Sequence, residues 1–371
     1  MNNNLHFSNK VISLLLDNNI VIDDAIENNI ACLESHFAEV EFELKFEITE
    51  HCNLNCSFCH QEFGRKRNKK QNFPFESFKE IINRAHNERQ IRYIRITGGE
   101  PLLHPDVKDF LSYASNTGFK TILNTNAVCL TEELARELAP VVNVWKISLP
   151  SVDPKRTEKI TESPFAWKQK NNALKILQKM SCTTEILIVL THENIQKIPN
   201  FIAIAKHYGA IPSFLRHESN YHDRMPLTPS DIKLALNLLE HHHLKFGMAL
   251  PFCVLPGPQK VAKLADGRIV CGPFSSLVVA KNGRVYRCYS RRKLSPMFDG
   301  FINTAMTLAA EDFLNLPNPC QKCKFGAQCL GGCGCAFSYR DSPTDRIDYL
   351  ADFNNISTCG EHGRNAERML K

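Results

Sequence analysis

Short apolar and β-branched runs alternate with amphipathic patterns through the middle of the chain, between about residues 41 and 245. Six runs have the length and composition of buried strands, at residues 42–48, 93–97, 121–124, 142–149, 184–190 and 211–215. Helical patterns follow them at residues 75–86, 107–115, 132–138, 173–180, 198–207 and 231–241. Six strand–helix repeats predict an α/β fold with a parallel sheet, namely a partial (β/α)6 TIM-like barrel. Functional residues of such a barrel lie at the C-terminal ends of its strands.

The pattern changes on both sides of this region. Residues 1–40 contain two weaker helical patterns, at 11–16 and 25–37, which predict a helical segment without an assigned chemistry. After about residue 245 the helical periodicity fades, while Pro, Gly and Cys become frequent. This composition predicts a small domain that bound metal stabilises, because the segment lacks a broad apolar core. The predicted domains are therefore residues 1–40, 41–245 and 246–371.

Length, charge and hydropathy narrow the possible partners. A chain of 371 residues is long enough for a barrel and a smaller domain. No apolar run approaches the roughly 18 residues of a membrane span, and no secretory signal begins the sequence. We therefore expect a cytoplasmic protein without a membrane partner. The net charge of +6 is too weak to indicate a nucleic-acid partner. The basic run at residues 65–70 is expected to be a solvated loop, with a rim that attracts an acidic peptide or a phosphorylated substrate as the alternative.

Cysteine content is unusual, with fifteen cysteines in a chain for which we expect a reducing compartment. Disulfides are rare there, so clustered cysteines predict metal ligands. Three cysteines lie between residues 52 and 59, and eight lie between residues 271 and 359. Three isolated ones are expected to be buried apolar residues: Cys32, Cys129 and Cys182.

The first cluster, Cys52, Cys56 and Cys59, follows the first predicted strand with the spacing CxxxCxxC. Three thiolates can bind three irons of a cubane cluster and leave the fourth iron open to a small molecule. With Phe58 before the last cysteine, this motif resembles that of the radical S-adenosylmethionine (SAM) superfamily. The resemblance implies that the open iron binds SAM, whose reductive cleavage gives a 5′-deoxyadenosyl radical. A structural zinc site is the alternative, and it would need His51 or His60 as a fourth ligand.

The second predicted strand ends in Gly98, Gly99, Glu100 and Pro101. Two glycines let the backbone approach a ligand closely, and the Glu100 carboxylate can accept a hydrogen bond from an ammonium group. The segment resembles the GGEP motif of the same superfamily, which binds the methionine amino group of SAM. Further polar residues at the ends of the third and fourth strands resemble the family's ribose and carboxylate contacts: Asn124, Asn126 and Ser148.

The C-terminal cysteines are similar to the SPASM domain of radical SAM enzymes, which carries two auxiliary [4Fe–4S] clusters. The matching positions are Cys271, Gly283, Cys288, Cys320, Cys323, Cys329, Cys333 and Cys359. The resemblance implies an outer cluster bound by Cys320, Cys323, Cys329 and Cys359. It implies an inner cluster, nearer the substrate, bound by Cys271, Cys288 and Cys333. The fourth inner ligand is Cys253 or Cys335, or the position is open to substrate.

Three kinds of function remain. SPASM-type relatives suggest oxidative modification of a peptide or protein, such as a crosslink, with an external electron donor such as flavodoxin or ferredoxin. A small-molecule enzyme is the alternative, either a sugar or aminocyclitol epimerase or dehydrogenase, or one like the GTP cyclases that residues 95–103 resemble. A non-enzymatic iron–sulfur carrier is disfavoured by the intact motifs. Tyr289 stands where sulfatase-maturing relatives have an Asp base, which disfavours that reaction because a phenol is a poor base at neutral pH.

Overall fold

The structure is a computed structural model that describes residues 23–59, 71–216, 227–244, 250–256, 261, 274–280, 283–288, 294–295, 300–316 and 318–329. The chain divides into two compact units. The barrel unit consists of Glu41–His217 and Ser276–Thr304. The second unit consists of Met1–Val40, Glu218–Ser275 and Ala305–Lys371. The division into three domains at residues 40 and 245 stays a prediction.

Nine strands form one sheet within the described residues. They are β1 (Phe42–Thr49), β2 (Ile91–Gly98), β3 (Lys120–Thr125), β4 (Val144–Ser148), β5 (Thr184–Leu190), β6 (Ile211–Arg216), β7 (Ser276–Val279), β8 (Val285–Tyr286) and β9 (Leu294–Ser295). Their spatial order is β6-β5-β4-β3-β2-β1-β7-β8-β9. Strands β1 to β6 are parallel, β7 is parallel to β1, and β8 and β9 continue antiparallel. The α/β fold class is confirmed, and the sheet is longer than the six predicted strands.

Within the described residues, helices connect the parallel strands, and further helices precede and follow the sheet in the chain. They are α1 (Asp24–Glu39), α2 (Phe75–His86), α3 (Val107–Asn116), α4 (Glu132–Leu138), α5 (Pro154–Thr161), α6 (Ala166–Lys179), α7 (Ile198–His207), α8 (Pro229–His241), α9 (Phe301–Leu314), α10 (Asn318–Gln321) and α11 (Gly326–Cys329). The sequence pattern did not predict α5, whose residues are mostly polar. It begins at Pro154 because Asp153 caps its N-terminus, accepting from the backbone N–H of Arg156 at 2.6 Å. No described helix is both long enough and apolar enough to cross a membrane.

The barrel core fixes the end of β1, where the cysteine loop begins. Alternate residues of β1 from Phe42 to Ile48 are completely buried, as expected for a strand with one face against helices. The ring of Phe46 packs edge-on against Phe78 of α2 with centroids 4.8 Å apart. Phe78 in turn contacts Phe110 of α3 at 4.7 Å. These aromatic contacts bury large apolar surfaces and hold β1 against its outer helices.

Within the second unit, α1 forms where a helix was predicted at residues 25–37. Asp23 caps it, accepting from the backbone N–H of Ile26 at 3.1 Å. Its buried residues recur at helical spacing and include Ile26, Ile30 and Leu33. Near its end, Nε2 of His36 donates to the carbonyl of Phe274 at 2.6 Å. The other helix predicted in this segment, at residues 11–16, lies outside the described residues.

Candidate active site

The cysteine loop follows β1 and carries Cys52, Cys56 and Cys59, all of them half-buried. Its backbone donates to the last carbonyls of α5, from Asn55 to Thr161 at 3.2 Å and from Ser57 to Ile160 at 2.8 Å. Carbonyls at a helix C-terminus have no partner within the helix, so the loop satisfies them and is held in return. The N–H of Cys59 also donates to the carbonyl of Cys56 at 3.0 Å, which closes a turn between two of the cysteines.

The three thiols of this loop lie near one another and near Lys170. The pKa of Cys56 is raised to about 12, mainly by burial; Lys170 opposes the rise, and Cys52 and Cys59 contribute to it. The three thiols are therefore close enough to interact electrostatically. No three His, Cys, Asp or Glu side chains among the described residues are placed to hold a metal ion. A cubane cluster binds each thiolate through a different iron, so its cysteines stand further apart than the ligands of one ion.

Gly98 and Gly99 bring the end of β2 against the cysteine loop. Gly98 has a φ of 144°, and a Cβ there would lie 2.4 Å from the carbonyl oxygen of Thr49. A Cβ on Gly99 would lie 2.2 Å from that of His51. From the sequence, this glycine pair was expected to let the backbone approach a ligand closely. In the structure the neighbour is the backbone of the loop, because the N–H groups of Gly99 and Glu100 donate to Thr49 and His51, both at 2.7 Å.

The Glu100 carboxylate is completely buried at the centre of this region. Its Oε1 accepts from the Thr125 hydroxyl at 2.6 Å and from the N–H of Leu102 at 3.0 Å. Its Oε2 accepts from the N–H of Asn126 at 2.7 Å. Burial raises the pKa of Glu100, while these hydrogen bonds and Lys170 act in the opposite direction. Pro101 follows as the buried first residue of a 3-10 turn, so the GGEP segment joins the ends of β2 and β3.

Asn126 reaches the cysteine loop from the end of β3. Its Nδ2 donates to Oδ1 of Asn53 at 2.8 Å and lies 4.0 Å from Sγ of Cys52. Asn53 in turn donates to Sγ of Cys129 at 3.0 Å. The expectation that Cys32, Cys129 and Cys182 are buried is wrong, because all three are half-buried. Cys129 is placed by a polar contact with the loop and not by apolar packing.

Asn124 and Ser148 occupy the predicted strand ends, with different environments. The Oδ1 of Asn124 is buried and has no hydrogen-bond partner among the described residues, which suits a bound donor. The hydroxyl of Ser148 instead lies 3.3 Å from Nζ of Lys170. Phe58 is half-buried beside Cys59.

Lys170 of α6 is a site residue that the sequence did not reveal. Its side chain is completely buried, and Nζ donates to the carbonyls of Asn126 at 2.6 Å and Ser148 at 2.9 Å. Burial lowers its pKa to about 8, and the neighbouring Cys56, Glu100 and Cys52 oppose that shift. A lysine within an amphipathic helix pattern gives no signal of burial, so only the fold places this positive charge beside the thiols.

The C-terminal cysteines are divided between the two units. Cys288 follows β8 in the barrel unit, half-buried. Four others lie in the second unit: Cys253, Cys320, Cys323 and Cys329. The remaining predicted ligands lie outside the described residues, as do the basic run at 65–70 and several single positions: Cys271, Cys333, Cys335, Cys359, His60 and Tyr289.

Cys320 lies near other described cysteines of the second unit, Cys253 and Cys323. It is 6% exposed, and burial raises its pKa to about 12, with Cys253 and then Cys323 adding to the shift. The Sγ of Cys329 lies 3.9 Å from the carbonyl of Leu250, three residues before Cys253. Cys253, expected at the inner cluster, is thus brought beside the residues expected to bind the outer one.

A profile of the Radical SAM superfamily matches residues 46–205, which contain the cysteine loop, the GGEP segment and Lys170. This region of the chain is a radical S-adenosylmethionine domain. The recognition of this family from the cysteine and GGEP motifs is confirmed. As a radical SAM enzyme, the protein uses SAM and a [4Fe–4S] cluster, and the loop described above carries the cysteine pattern for that cluster.

This radical SAM enzyme is similar to proteins of two kinds. It is 26% identical over 236 residues to a probable GTP 3′,8-cyclase of Methanococcus maripaludis, covering 63% of this chain and 71% of the relative. It is 23% identical over 357 residues to the PqqA peptide cyclase of Gluconobacter oxydans, covering 87% and 95%. The crystal structure of Streptococcus suis SuiB bound to S-adenosylmethionine matches with a TM-score of 0.64 and 17% identity, covering 93% and 88%. The last two matches extend well past residue 205, so they include the region of the predicted SPASM domain.

Proposed function

We propose that this radical SAM enzyme cleaves SAM reductively and uses the 5′-deoxyadenosyl radical to modify a peptide oxidatively, with a crosslink as the favoured product. The extent of its similarity to the PqqA peptide cyclase carries the proposal, because that match spans 95% of the relative and both parts of this chain. SuiB, which has the same fold, has been crystallised with its precursor peptide SuiA; that structure matches with a TM-score of 0.63 and 17% identity over 88% of this chain and 79% of SuiB.

In this proposal Cys52, Cys56 and Cys59 hold the cluster through three irons. When bound, the cluster supplies the electron that cleaves the sulfonium bond of SAM. Lys170 stabilises the thiolates of the loop, since its ammonium opposes the rise in the pKa of Cys56. The protein fixes this geometry before SAM arrives, because the loop is bound to α5 on one side and to the end of β2 on the other.

We further propose that the ends of β3 and β4 bind the rest of SAM. Glu100 accepts three hydrogen bonds within the protein, and a carboxylate has about four acceptor positions, so Oε2 retains one for the methionine ammonium. The buried Oδ1 of Asn124 is an acceptor suited to a hydroxyl or ammonium donor. Asn126 and Ser148 are held by Glu100 and Lys170, which gives them a fixed position next to the loop.

The two auxiliary clusters belong to the proposal as well. Formation of a crosslink removes two hydrogens from the peptide, one as an atom taken by the radical and one as a proton and an electron. An auxiliary cluster supplies an acceptor for that electron. The ligand sets are those of the SPASM resemblance, and the closeness of Cys253 to Cys320 favours the outer set for Cys253. Cys335 or the substrate then fills the fourth inner position.

A GTP cyclase activity is the second candidate, because several relatives of that name match part of the chain. These matches leave over a third of the chain uncovered, whereas the match to the PqqA peptide cyclase covers 87% of it, so we favour a peptide substrate. A sugar or aminocyclitol substrate has no comparable support. Flavodoxin or ferredoxin is the proposed electron donor, and a reducing cytoplasm is the compartment that keeps the thiolates available.

The test uses anaerobically reconstituted enzyme with SAM, a low-potential reductant and either GTP or a peptide encoded beside its gene. We expect 5′-deoxyadenosine together with a peptide that has lost two hydrogens, measured by mass spectrometry. The variant in which Cys52, Cys56 and Cys59 are all changed to Ala should lose about four of roughly twelve irons and form no 5′-deoxyadenosine. Turnover of GTP with an unchanged peptide would favour the cyclase, and 5′-deoxyadenosine from the triple variant would contradict the assignment of the loop.

A further inference from the structure

Asn29, on the N-terminal helix α1, is bound to the segment that carries the C-terminal cysteines of the second unit. The residue is 3% exposed. Its Nδ2 lies 3.0 Å from the carbonyl oxygens of Gln321 and Cys323, and also 3.0 Å from that of Ala25 in its own helix. Its Oδ1 accepts from the N–H of Ala327 at 2.8 Å. One amide side chain thus serves three backbone groups of a segment almost three hundred positions away.

These contacts set the shape of the turn between the cysteines. The N–H of Cys323 donates to the carbonyl of Cys320 at 3.2 Å, and the N–H of Gly326 donates to that of Cys323 at 2.7 Å. The carbonyl of Cys323 therefore accepts from the turn and lies within reach of Asn29. On either side, the Gln321 carbonyl and the Ala327 N–H are tied to the same amide. The direction in which the Cys320 and Cys323 side chains leave the backbone depends on this turn.

Gly326 shows how closely the two segments fit. A Cβ at this position would lie 2.6 Å from the carbonyl oxygen of Cys320. It would also lie 3.0 Å and 3.2 Å from the amide nitrogen and oxygen of Asn29. Glycine is therefore needed because backbone and amide occupy the space of a side chain. A tight turn with a buried amide at its centre is the arrangement expected where ligands must keep a fixed geometry.

We propose that Asn29 positions the ligands of the auxiliary cluster bound by Cys320, Cys323 and Cys329, so that helix α1 forms part of that cluster's site. The inference rests on the proposed function, because it requires that the cluster exists. Asn29 is a positioning residue, since it touches the backbone that presents the thiolates and not the thiolates themselves. Groups around the ligands tune a cluster's reduction potential as well as its affinity, so both should change when Asn29 changes.

The experiment compares two adjacent asparagines on α1. Asn29→Asp keeps the shape of the side chain and the acceptor for Ala327, but replaces the donor that faces three carbonyls with an oxygen. Asn29→Ala removes the amide altogether. Asn28→Asp and Asn28→Ala are the matched controls, because Asn28 is exposed on the same helix. All four changes are made in the full chain that carries the triple Cys→Ala change in the first loop, so that the remaining iron belongs to the auxiliary clusters.

Iron and sulfide per chain, the electron paramagnetic resonance spectrum after reduction, and the midpoint potentials are then measured. We expect about eight irons in the parent and in both Asn28 variants. Asn29→Ala should lose about half of them. Asn29→Asp should either lose about half of its iron as well, or keep all of it. In the second case one of the two clusters should show a shifted midpoint potential and an altered electron paramagnetic resonance spectrum. A change in potential at full iron content is the outcome that a purely structural role would not produce.

The outcomes separate this inference from the proposed function. A parent without auxiliary iron overturns both, because no cluster is then present to be positioned. A parent with about eight irons whose Asn29 variants match it in iron, spectrum and potential overturns the inference alone. If Asn29→Ala is insoluble, Asn29→Asp decides, since it preserves size. Formation of 5′-deoxyadenosine by the Asn29 variants with an intact first loop shows that the barrel is folded.

Discussion

At the residue scale, two buried side chains of opposite charge, Glu100 and Lys170, both hydrogen-bond to the backbone of Asn126. The carboxylate of Glu100 accepts from its N–H, and the ammonium of Lys170 donates to its carbonyl. Asn126 carries this constraint to the cysteine loop through its contact with Asn53. Because each charge is buried, each depends on its hydrogen bonds and on the other to offset the loss of water. The ordering of the SAM site therefore depends on residues that are not cluster ligands.

Glu100→Ala should weaken SAM binding and disturb Asn126, because the carboxylate both offers an acceptor to the ammonium and holds the end of β3. Loss of one charge-assisted hydrogen bond costs about 1.5–3 kcal/mol, which corresponds to roughly ten- to a hundred-fold in affinity. Thr125→Val is the control, since it removes one neutral bond to the same carboxylate. The SAM dissociation constant of iron-replete protein measures both effects. Equal affinity in wild type and Glu100→Ala would mean that Glu100 has no contact with SAM.

Lys170→Met should destabilise the barrel and lower the occupancy of the first cluster. The change leaves the carbonyls of Asn126 and Ser148 buried without this donor, at a cost of about 1–3 kcal/mol for each unsatisfied group. Lys168→Met on the same helix is exposed and should change stability by less than about 0.5 kcal/mol. Denaturant titration and iron content are the measurements. Similar behaviour of the two variants would contradict a structural role for the buried ammonium.

At the scale of elements, several features depend on segments whose sequence patterns are weak. Helix α5 has few apolar residues, yet its last carbonyls hold the cysteine loop. Strand β7 is four residues long and buried along its whole length, so it shows no alternation of apolar and polar positions. It extends the sheet from β1, the strand that leads into the cysteine loop. Helix α1 belongs by its contacts to the second unit.

His36 at the end of α1 should make the stability of the second unit depend on pH. Burial lowers the pKa of His36 from its ordinary value of 6.5, and the bond to Phe274 opposes that shift. The folded form therefore binds fewer protons than the unfolded chain just below pH 6.5, so stability is present above this value and falls as the pH drops. His36→Gln keeps a neutral donor and should reduce that dependence. Melting temperatures of the cluster-free proteins at pH 7.5 and 5.5 test this; equal losses would contradict it.

At the scale of the whole molecule, the described cysteines of the C-terminal region are divided between two units. Cys288 follows β8, which belongs to the same sheet as the cysteine loop, while Cys320 and Cys323 lie in the second unit. Cys288, the described member of the proposed inner set, therefore belongs to the barrel unit, while the described members of the outer set belong to the second unit. A change in the inner set should affect the reaction more than the folding of the second unit.

Cys288→Ala should uncouple the two products of the enzyme. Its first cluster and Glu100 are untouched, so 5′-deoxyadenosine should still form. Modified peptide should not form, because the inner cluster no longer accepts the electron or binds the substrate. Both products are measured from the same purified protein of known iron content, with wild type as the reference. A ratio of peptide product to 5′-deoxyadenosine equal to that of wild type would show that the inner cluster has no part in the reaction.

The sequence by itself determined the family and the parallel barrel. These follow from local information: the strands at 184–190 and 42–48 are apolar or alternating runs, and both SAM-related motifs are contiguous within a few residues. Their placement at strand ends needed no knowledge of distant contacts, because consecutive βα units place those ends at one edge of a sheet.

Only the tertiary structure decided what holds these motifs in place. Lys170 and Asn29 are ordinary polar residues of helices, and their roles come from distant partners. Those of Lys170 are 22 and 44 positions away, and those of Asn29 in the C-terminal segment are 292 or more positions away. The glycine pair was assigned to a ligand, whereas packing on the loop backbone explains it. Burial changes the energetics of such groups, since a polar side chain without water must find its partners within the protein. Which residues become buried together depends on the whole fold, and no local pattern records it.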